Sequence, residues 1–351
     1  MKKTLVAVAA MAAVTGAMAQ ATISGFIDGA YTTNKATTAA NVSTSTSSVG
    51  SGAAGQSQIS IKSSEDLGGG MKAFGALRIN PNPYSAGNVA ATNLAQDVSE
   101  VGISGDFGTV LLNRDYGIAF DVHASADASG WTSGAKGVVH NTSSGISNGV
   151  VYVLPNFVPG LDALVAKGVS GTAGGDGDAT AYRLKYTTGG LMVQYAGASV
   201  NYIAAGTAST AGTGTGWTTN FATGGTTTIQ EATAANSKAS LTALAVTYDL
   251  GMAKLHYGKF SAKSGGDADQ KSSSDMMGVS FPFGATTVGI TSSSAKRTIA
   301  AATTVKASGY RGKVAYALSK RTTAYAAYGT EKVSNTTQSD KQTTIGLTHG
   351  F

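Results

Sequence analysis

The sequence predicts an all-β protein, a sixteen-stranded antiparallel transmembrane β-barrel, and three observations support that prediction. Glycine accounts for 47 of 351 residues, charged residues make up only 13%, and mean hydropathy is +0.03. Apolar and polar side chains alternate with period two from Ala21 to the C-terminus. Short glycine-rich connections alternate with long polar ones. Successive side chains of a strand point to opposite faces, so each predicted strand has one apolar and one polar face.

The alternation is clearest where charged residues separate large apolar ones. Tyr182, Leu184 and Tyr186 are separated by Arg183 and Lys185. A sheet with one apolar face either packs that face on a core or turns it toward lipid. Here the apolar positions are mixed with glycine, alanine and threonine. That mixture favours a lipid-facing barrel over a soluble sandwich.

The connections set the number of strands. Seven short turns are predicted at residues 66–70, 105–108, 155–160, 188–190, 249–251, 282–284 and 319–321. Eight long outer loops are predicted at residues 34–55, 81–94, 117–145, 171–178, 201–237, 261–271, 295–306 and 334–340. The two kinds alternate strictly, which implies sixteen strands with both termini on the short-turn side. An even strand number with short turns at one end and long loops at the other is typical of bacterial outer-membrane barrels.

The N-terminus has the pattern of a secretory signal peptide. Lys2 and Lys3 precede an apolar stretch at residues 4–15, and Ala17 and Ala19 form an A-x-A cleavage site. We therefore expect residues 1–19 to be cleaved and residues 20–351 to form a single barrel domain.

The same sequence argues against several other function classes. The chain has no cysteine, and its four histidines lack the spacing of a metal site. No P-loop or G-x-S-x-G nucleophile elbow occurs. Glycine and aspartate alternate at residues 174–178, where a solvated turn is favoured over a calcium site. The formal charge of +6 is too small to predict nucleic-acid binding. We expect no enzyme activity, no metal or cofactor, and no nucleic-acid partner.

Five segments spread along the chain resemble one known family. They are SEDLGGGMKA at 64–73, GDFGTV at 105–110 leading to Arg114, YVLPNF at 152–157, LSKRT at 318–322 and GLTHGF at 346–351. These segments are similar to those of the Gram-negative general porins, of the β-proteobacterial type whose members are often anion-selective. The resemblance implies a homotrimer of sixteen-stranded barrels in the outer membrane. It also implies a third outer loop folded into each lumen, and a role for the terminal Phe351 as a signal for barrel insertion.

Alternation predicts which charges face the lumen, since a charge on the lipid face costs about 2–4 kcal/mol at the bilayer midplane. The predicted pore-wall residues are Lys62, Arg78, Glu100, Arg114, Arg183, Lys185, Arg311 and Lys313. The loop at 117–145 follows the fifth strand and so takes the place of the constricting loop. Its charged and titratable side chains are Asp121, His123, Asp127, Lys136 and His140.

These features lead to the expectation of a water-filled channel for passive diffusion of small ions and hydrophilic solutes. Outer-membrane lipid and lipopolysaccharide are the expected surroundings. The resemblance suggests anion preference, but Gln58, Asp97 and Gly145 stand where anion-selective relatives place arginines. A modest anion preference and a weakly selective sieve therefore both stay open. A substrate-specific outer-membrane channel and, further off, a secreted β-rich adhesin are the alternatives.

Overall fold

The fold was analysed in a computed structural model of the full chain. The structure describes residues 20–51, 57–81, 84, 94–114, 118–130, 149–168, 179–201, 238–264, 270–299 and 303–351. The predicted signal peptide at 1–19 lies outside these residues.

Seventeen β-segments and one helix make up the described chain. The strands are β1 Gln20–Thr37, β2 Ser43–Gly50, β3 Gln58–Gly68, β4 Met71–Pro81, β5 Leu94–Gly105, β6 Gly108–Arg114, β7 Gly149–Val153, β8 Leu161–Gly168, β9 Ala179–Thr188, β10 Leu191–Asn201, β11 Lys238–Asp249, β12 Lys254–Ser264, β13 Gln270–Phe283, β14 Thr286–Ile299, β15 Thr303–Ala317, β16 Thr322–Val333 and β17 Ser339–Gly350. The helix, α1, is Ile118–Ala126.

The strands close into a barrel of sixteen. From β3 onward each strand pairs antiparallel with the next, and β17 pairs with β1 to complete the circle. The segments β2 and β3 both pair with β1, β2 with its outer part and β3 with its first residues. Together they form one interrupted barrel strand, so the seventeen segments make sixteen barrel strands. This confirms the predicted fold class.

The connections differ from the prediction where strands extend into predicted outer loops. In the predicted loop at 295–306, β14 continues to Ile299 and β15 begins at Thr303, and in the one at 261–271, β12 continues to Ser264 and β13 begins at Gln270. The seven connections predicted as short turns all join neighbouring strands, and several place glycine in the left-handed backbone region, as at Gly160 (φ 82°). The predicted loop at 34–55 was wrong, because β1 continues to Thr37 and β2 returns as a paired strand. Both arms of this hairpin are rich in Ser and Thr, so the apolar alternation that indicates a strand is missing there, although the backbone ladder forms. The turn closes with Asn41 at a φ of 61°, a conformation that asparagine tolerates well.

The two faces of the wall differ sharply. On β9, Tyr182, Leu184 and Tyr186 are exposed, while Arg183 and Lys185 between them are half-buried. Large apolar side chains are exposed in the same alternating way on the other strands, which suits an outer face turned to lipid.

The helix α1 lies inside the barrel. It follows β6, the fifth barrel strand, and contacts β9 to β13 on the face where their side chains are buried. The third outer connection therefore folds inward, as predicted. No helix in the described residues is long and apolar enough to cross a bilayer.

Candidate functional site: a helix and loop fixed inside the barrel

Small side chains on the wall let α1 approach closely. Ala119, Val122 and Ala126 of the helix are buried against a patch of β10 to β13. The wall side of this cluster consists of Ala196, Leu241, Ala243, Ala245, Phe260 and Met276. Three of these six residues are alanines of β10 and β11, while Leu241, Phe260 and Met276 supply the larger side chains of the cluster. The helix is thus held by apolar packing rather than hanging free in the lumen.

Three glycines of neighbouring strands make room for the last residue of α1 and the chain after it, and we call them the glycine row: Gly258 on β12, Gly278 on β13 and Gly289 on β14. A Cβ on Gly258 would lie 2.5 Å from the Cβ of Ala126, and one on Gly278 would lie 2.7 Å from that of Ala128. A Cβ on Gly289 would collide with the carbonyl oxygen of Ala128. The loop backbone therefore rests directly on the wall.

A buried ion pair fixes the end of this segment. Asp127 and Arg311 of β15 are 3% and 1% exposed, and the Arg311 Nη2 lies 2.9 Å from the Asp127 Oδ2. Arg311 also donates from Nε to Oδ1 at 3.1 Å. The hydroxyls of Thr291 and Ser129 donate to the same Oδ1 at 2.8 and 2.7 Å. We call Asp127, Ser129, Thr291 and Arg311 the latch.

The latch keeps Asp127 ionised. Burial by itself raises the pKa of Asp127, but the Arg311 guanidinium and the hydrogen bonds from Ser129 and Thr291 lower it. The net pKa of Asp127 lies well below the ordinary value of an aspartate.

A second, more exposed ion pair holds the start of the helix. Arg183 of β9 lies 2.6 Å from Asp121 and 2.8 Å from Asp162 of β8. The Asp121 side chain is 57% exposed, so this contact faces water in the lumen. Arg183 thus points toward the helix inside the barrel, and its charge is shared between two carboxylates.

Two further contacts tie the loop to the wall. The ring of His256 on β12 contacts the backbone oxygen of Ser125 at 3.0 Å and the hydroxyl of Ser280 at 3.1 Å. Lys313 of β15 donates from Nζ to the backbone oxygen of Gly130 at 3.0 Å.

The remaining predicted residues fall into three groups. Lys62 of β3 and Glu100 of β5 face the same side of the wall, each opposite Ala76 of β4. Arg78 lies between Ser60 and Val98, at an irregularity of the β4–β5 register. The others are Lys185, opposite Asp162 and Gln194, Arg114, the last residue of β6, and Lys136 and His140, which lie outside the described residues.

His123, one of the candidate residues of the constricting loop, packs against the barrel wall. Its side chain is fully buried, and its ring packs on Phe260 with centroids 5.3 Å apart. It belongs to the packing between helix and wall, because Phe260 of β12 is part of the cluster that buries α1.

The terminal residue completes the ring of strands. The backbone of Phe351 exchanges two hydrogen bonds with Gly25 of β1, at 3.0 and 3.1 Å.

Sequence reasoning missed the residues that anchor the loop. Asp162, Thr291 and the glycine row are spaced far apart in sequence and meet only through strand register. Alternation alone could place their side chains inward, yet it could not show what they contact.

Comparisons with known proteins agree with this architecture. A family model described as Gram-negative porin matches residues 7–336. The chain is 28% identical over 303 residues to outer membrane porin protein 32 of Delftia acidovorans, covering 81% of this chain and 77% of that protein. It is 30% identical over 209 residues to major outer membrane protein P.IB of Neisseria meningitidis serogroup B, covering 56% of this chain and 59% of that protein.

The fold is also similar to solved barrels. An anion-selective porin from Comamonas acidovorans superimposes with a TM-score of 0.71 at 22% identity, covering 95% of this chain and 100% of that chain. Salmonella typhi OmpF, solved in complex with daunomycin, gives a TM-score of 0.67 at 14% identity, covering 95% and 98%. The barrel, its inward third loop and the family match over nearly all of the chain indicate a channel of the bacterial outer membrane. The chain belongs to the Gram-negative porin family.

Proposed function

We propose that the protein forms a water-filled channel through which small ions and hydrophilic solutes diffuse passively, with a modest preference for anions. Catalysis has no part in this function, and the solute gradient supplies the driving force. The cleavage of residues 1–19 and assembly into a homotrimer belong to the same proposal. A Vibrio cholerae OmpT structure described as a trimer form has the same fold, with a TM-score of 0.71 at 12% identity over 95% of this chain and 99% of that chain.

The pairing of the charges on the inner wall carries the anion preference. Both described carboxylates of the inward loop are bound to arginines, Asp127 to Arg311 and Asp121 to Arg183. Within the described ranges, no ion pair engages Lys62 or Lys185. The carboxylates of the loop are therefore neutralised, while the positive charges of Lys62 and Lys185 on the wall are not, and they attract anions into the pore.

Glu100 limits this preference. It shares the inward face of β3 to β5 with Lys62, two strands away. The proposal is accordingly a modest selectivity. The departures at Gln58, Asp97 and Gly145 point the same way.

The test is the zero-current potential of the purified protein in a planar bilayer under a tenfold KCl gradient. We expect stepwise conductance and a reversal potential on the anion side. Lys62→Glu and Lys185→Glu should each shift the reversal toward the cation side. Lys263→Glu makes the same charge change on the outer face of β12 and should leave the reversal unchanged.

Other results would select the alternatives. A cation-side reversal in the wild type would refute the charge argument and keep the channel. Saturation of the current by one solute would indicate a substrate-specific channel. A chain that forms no steps and migrates identically on a gel with and without boiling would support an adhesin.

A further inference from the structure

One exposed lysine stands on the outer face of each of five consecutive strands, β14, β15, β16, β17 and β1. We call these residues the lysine ledge: Lys296, Lys306, Lys332, Lys341 and Lys35. Each shares its face with an exposed large side chain of the same strand. These are Ile290, Tyr310, Tyr328, Ile345 and Tyr31. The side chains of the opposite parity, such as Thr291 and Arg311, point into the lumen, where both donate hydrogen bonds to Asp127. The ledge therefore lies outside the barrel, on the other side of the wall from the pore.

Strand register makes the ledge continuous. Lys296 lies directly opposite Lys306, and Lys341 lies directly opposite Lys35. Lys332 lies opposite Ser308 and Ser339, which places it diagonal to both Lys306 and Lys341. Directly opposite residues have Cβ atoms about 4.5–5.5 Å apart, and diagonal ones lie about 7–8 Å apart. Five ammonium groups thus follow one another across roughly 19 Å, at about 4.8 Å per strand.

The ledge has a defined depth in the membrane. On β14 to β17 each lysine lies about ten residues from the periplasmic end of its strand, roughly the length of a tilted strand that spans the hydrocarbon core. Exposed tyrosines precede it on the outer face of three strands, and those of β15 and β16, Tyr310 and Tyr328, contact each other with centroids 6.1 Å apart. Tyrosine at this depth marks the boundary between hydrocarbon and headgroups. A single outward Ser308 or Thr330 separates each of these tyrosines from its lysine. The ammonium groups therefore reach the headgroup layer of the outer leaflet.

Nothing described on this face balances the charge. Like charges directly opposite each other in a sheet repel, and the ledge contains two such pairs. The outward carboxylate nearby, Asp275 of β13, is bound to Lys259 at 2.9 Å. The turns at 38–42 and 334–338, which adjoin the ledge, contain no acidic residue. An anionic partner would therefore relieve the repulsion.

We propose that the lysine ledge binds the phosphate groups of lipopolysaccharide in the outer leaflet. Phosphates attached to a lipid anchor are the anions held at this depth. Neighbouring lipids present these phosphates side by side, which matches the row of ammonium groups. A second copy of the chain fits less well, because the described outer face offers no matching line of carboxylates. This function is independent of the channel, whose charges lie on the inner face.

The test measures binding of lipid A to the detergent-solubilised protein. Lipid A with both phosphates and dephosphorylated lipid A are the two probes. We expect Lys306→Gln/Lys332→Gln to weaken binding of the phosphorylated lipid by about tenfold, since each lysine at an anionic surface contributes appreciably. Binding of the dephosphorylated lipid should not change. The charge-preserving Lys306→Arg/Lys332→Arg should bind as the wild type does.

The matched control removes two positive charges from the turn that joins the same two strands at their other end. Lys320→Gln/Arg321→Gln lies at the periplasmic turn between β15 and β16, and it should change binding by less than twofold. An equal loss in this control, or a loss below twofold in the ledge variant, would overturn the proposal. So would dissociation of the oligomer with lipid A affinity intact, because the ledge would then join copies of the chain.

The salt dependence of lipid A binding by the wild-type protein is a further test that needs no variant. Raising NaCl from 0.05 to 0.5 M should weaken binding of phosphorylated lipid A to the wild type, because salt screens exposed charges. If salt affects both lipids equally, the lysines are not the recognition element.

Discussion

Asp127 and Asp121 belong to the same inward segment, and each is bound to an arginine of the wall. Because Asp127 is buried and Asp121 is exposed, the two ion pairs contribute differently to stability. Removing one partner of a buried ion pair costs about 3–5 kcal/mol, whereas an exposed pair is worth less than about 1 kcal/mol. Asp127→Asn leaves Arg311 buried without its counter-charge. We expect it to lower the free energy of unfolding in detergent by about 3 kcal/mol or more. Denaturant titration followed by tryptophan fluorescence and gel mobility measures this.

Asp121→Asn is the control for this change, because it also removes one carboxylate from an arginine contact. Its cost should stay below about 1 kcal/mol, since the Asp121 side chain is 57% exposed and Arg183 keeps Asp162. Equal losses in the two variants would mean that the latch does not hold the loop.

The same pair of proteins, wild type and Asp127→Asn, gives a pH readout. The folded pKa of Asp127 is depressed below the unfolded value of about 3.9, so its contribution is fully present above that value. It is lost only as pH falls through the folded pKa. The stability difference between the two proteins should therefore be constant from pH 7 to about pH 5 and shrink only below about pH 4. A difference that vanished near pH 6 would contradict the depressed pKa.

At the residue scale, the sequence predicts the face of the wall on which a side chain lies better than it predicts the residues that the side chain contacts. Period-two alternation predicts that Arg183 and Arg311 point inward, because the neighbouring apolar side chains have to face lipid. It could not predict that both arginines are paired, because Asp127 reaches Arg311 only after the third loop has folded across β13 and β14. His123 illustrates the same limit, since its burial depends on α1 lying against Phe260.

At the element scale, the unexpected feature is α1 together with the patch of β10 to β13 against which it packs. Residues 117–145 show no alternation of apolar and polar side chains, so the sequence predicts a loop there. Its helix is held by tertiary contacts: alanines of the helix meet alanines of β10 and β11, and the glycine row accepts the backbone that follows. Strands are visible in the sequence because the bilayer requires apolar side chains on their outer face. The conformation of the inward loop depends only on its contacts with the inner wall.

The glycine row leads to a prediction about this element. Gly289→Ala places a methyl group against the carbonyl of Ala128, and a backbone atom has to move. We expect the loop to shift into the lumen, which lowers single-channel conductance and costs about 1–3 kcal/mol of stability, as overpacking does. Planar-bilayer recording measures the conductance.

Gly312→Ala on β15 is the matched control for that substitution. It is also a glycine within a barrel strand, but the nearest atom to its Cβ would be the Gly289 oxygen at 3.7 Å. Its conductance should equal that of the wild type. A Gly289→Ala channel with normal conductance would show that the loop does not limit the passage.

At the scale of the whole molecule, the outer and inner faces of one wall have separate tasks. The inner face carries the loop, its ion pairs and the charges proposed to bias the flow of ions. The outer face carries the aromatic residues and the lysine ledge. Both depend on closure, because a strand at an open edge would leave backbone groups unpaired in hydrocarbon. Strand count and closure could be predicted from the turn pattern alone, since even numbers and short turns on one side follow from the barrel itself.

Closure at Phe351 provides the last prediction. The residue adds two backbone hydrogen bonds to Gly25, and its side chain is 47% exposed at the seam between β17 and β1. Phe351→Ala keeps both backbone bonds and removes only the ring. If the ring acts as an insertion signal, the variant should accumulate less folded barrel in the outer membrane while its stability, once refolded in detergent, stays within about 1 kcal/mol of the wild type. Heat-modifiable gel migration of membrane fractions measures the folded amount.

Phe351→Tyr should restore the folded amount, and Phe283→Ala, which removes an exposed ring at another periplasmic turn, should have no effect on it. Equal accumulation of Phe351→Ala and wild type would leave Phe351 with the closing backbone bonds alone.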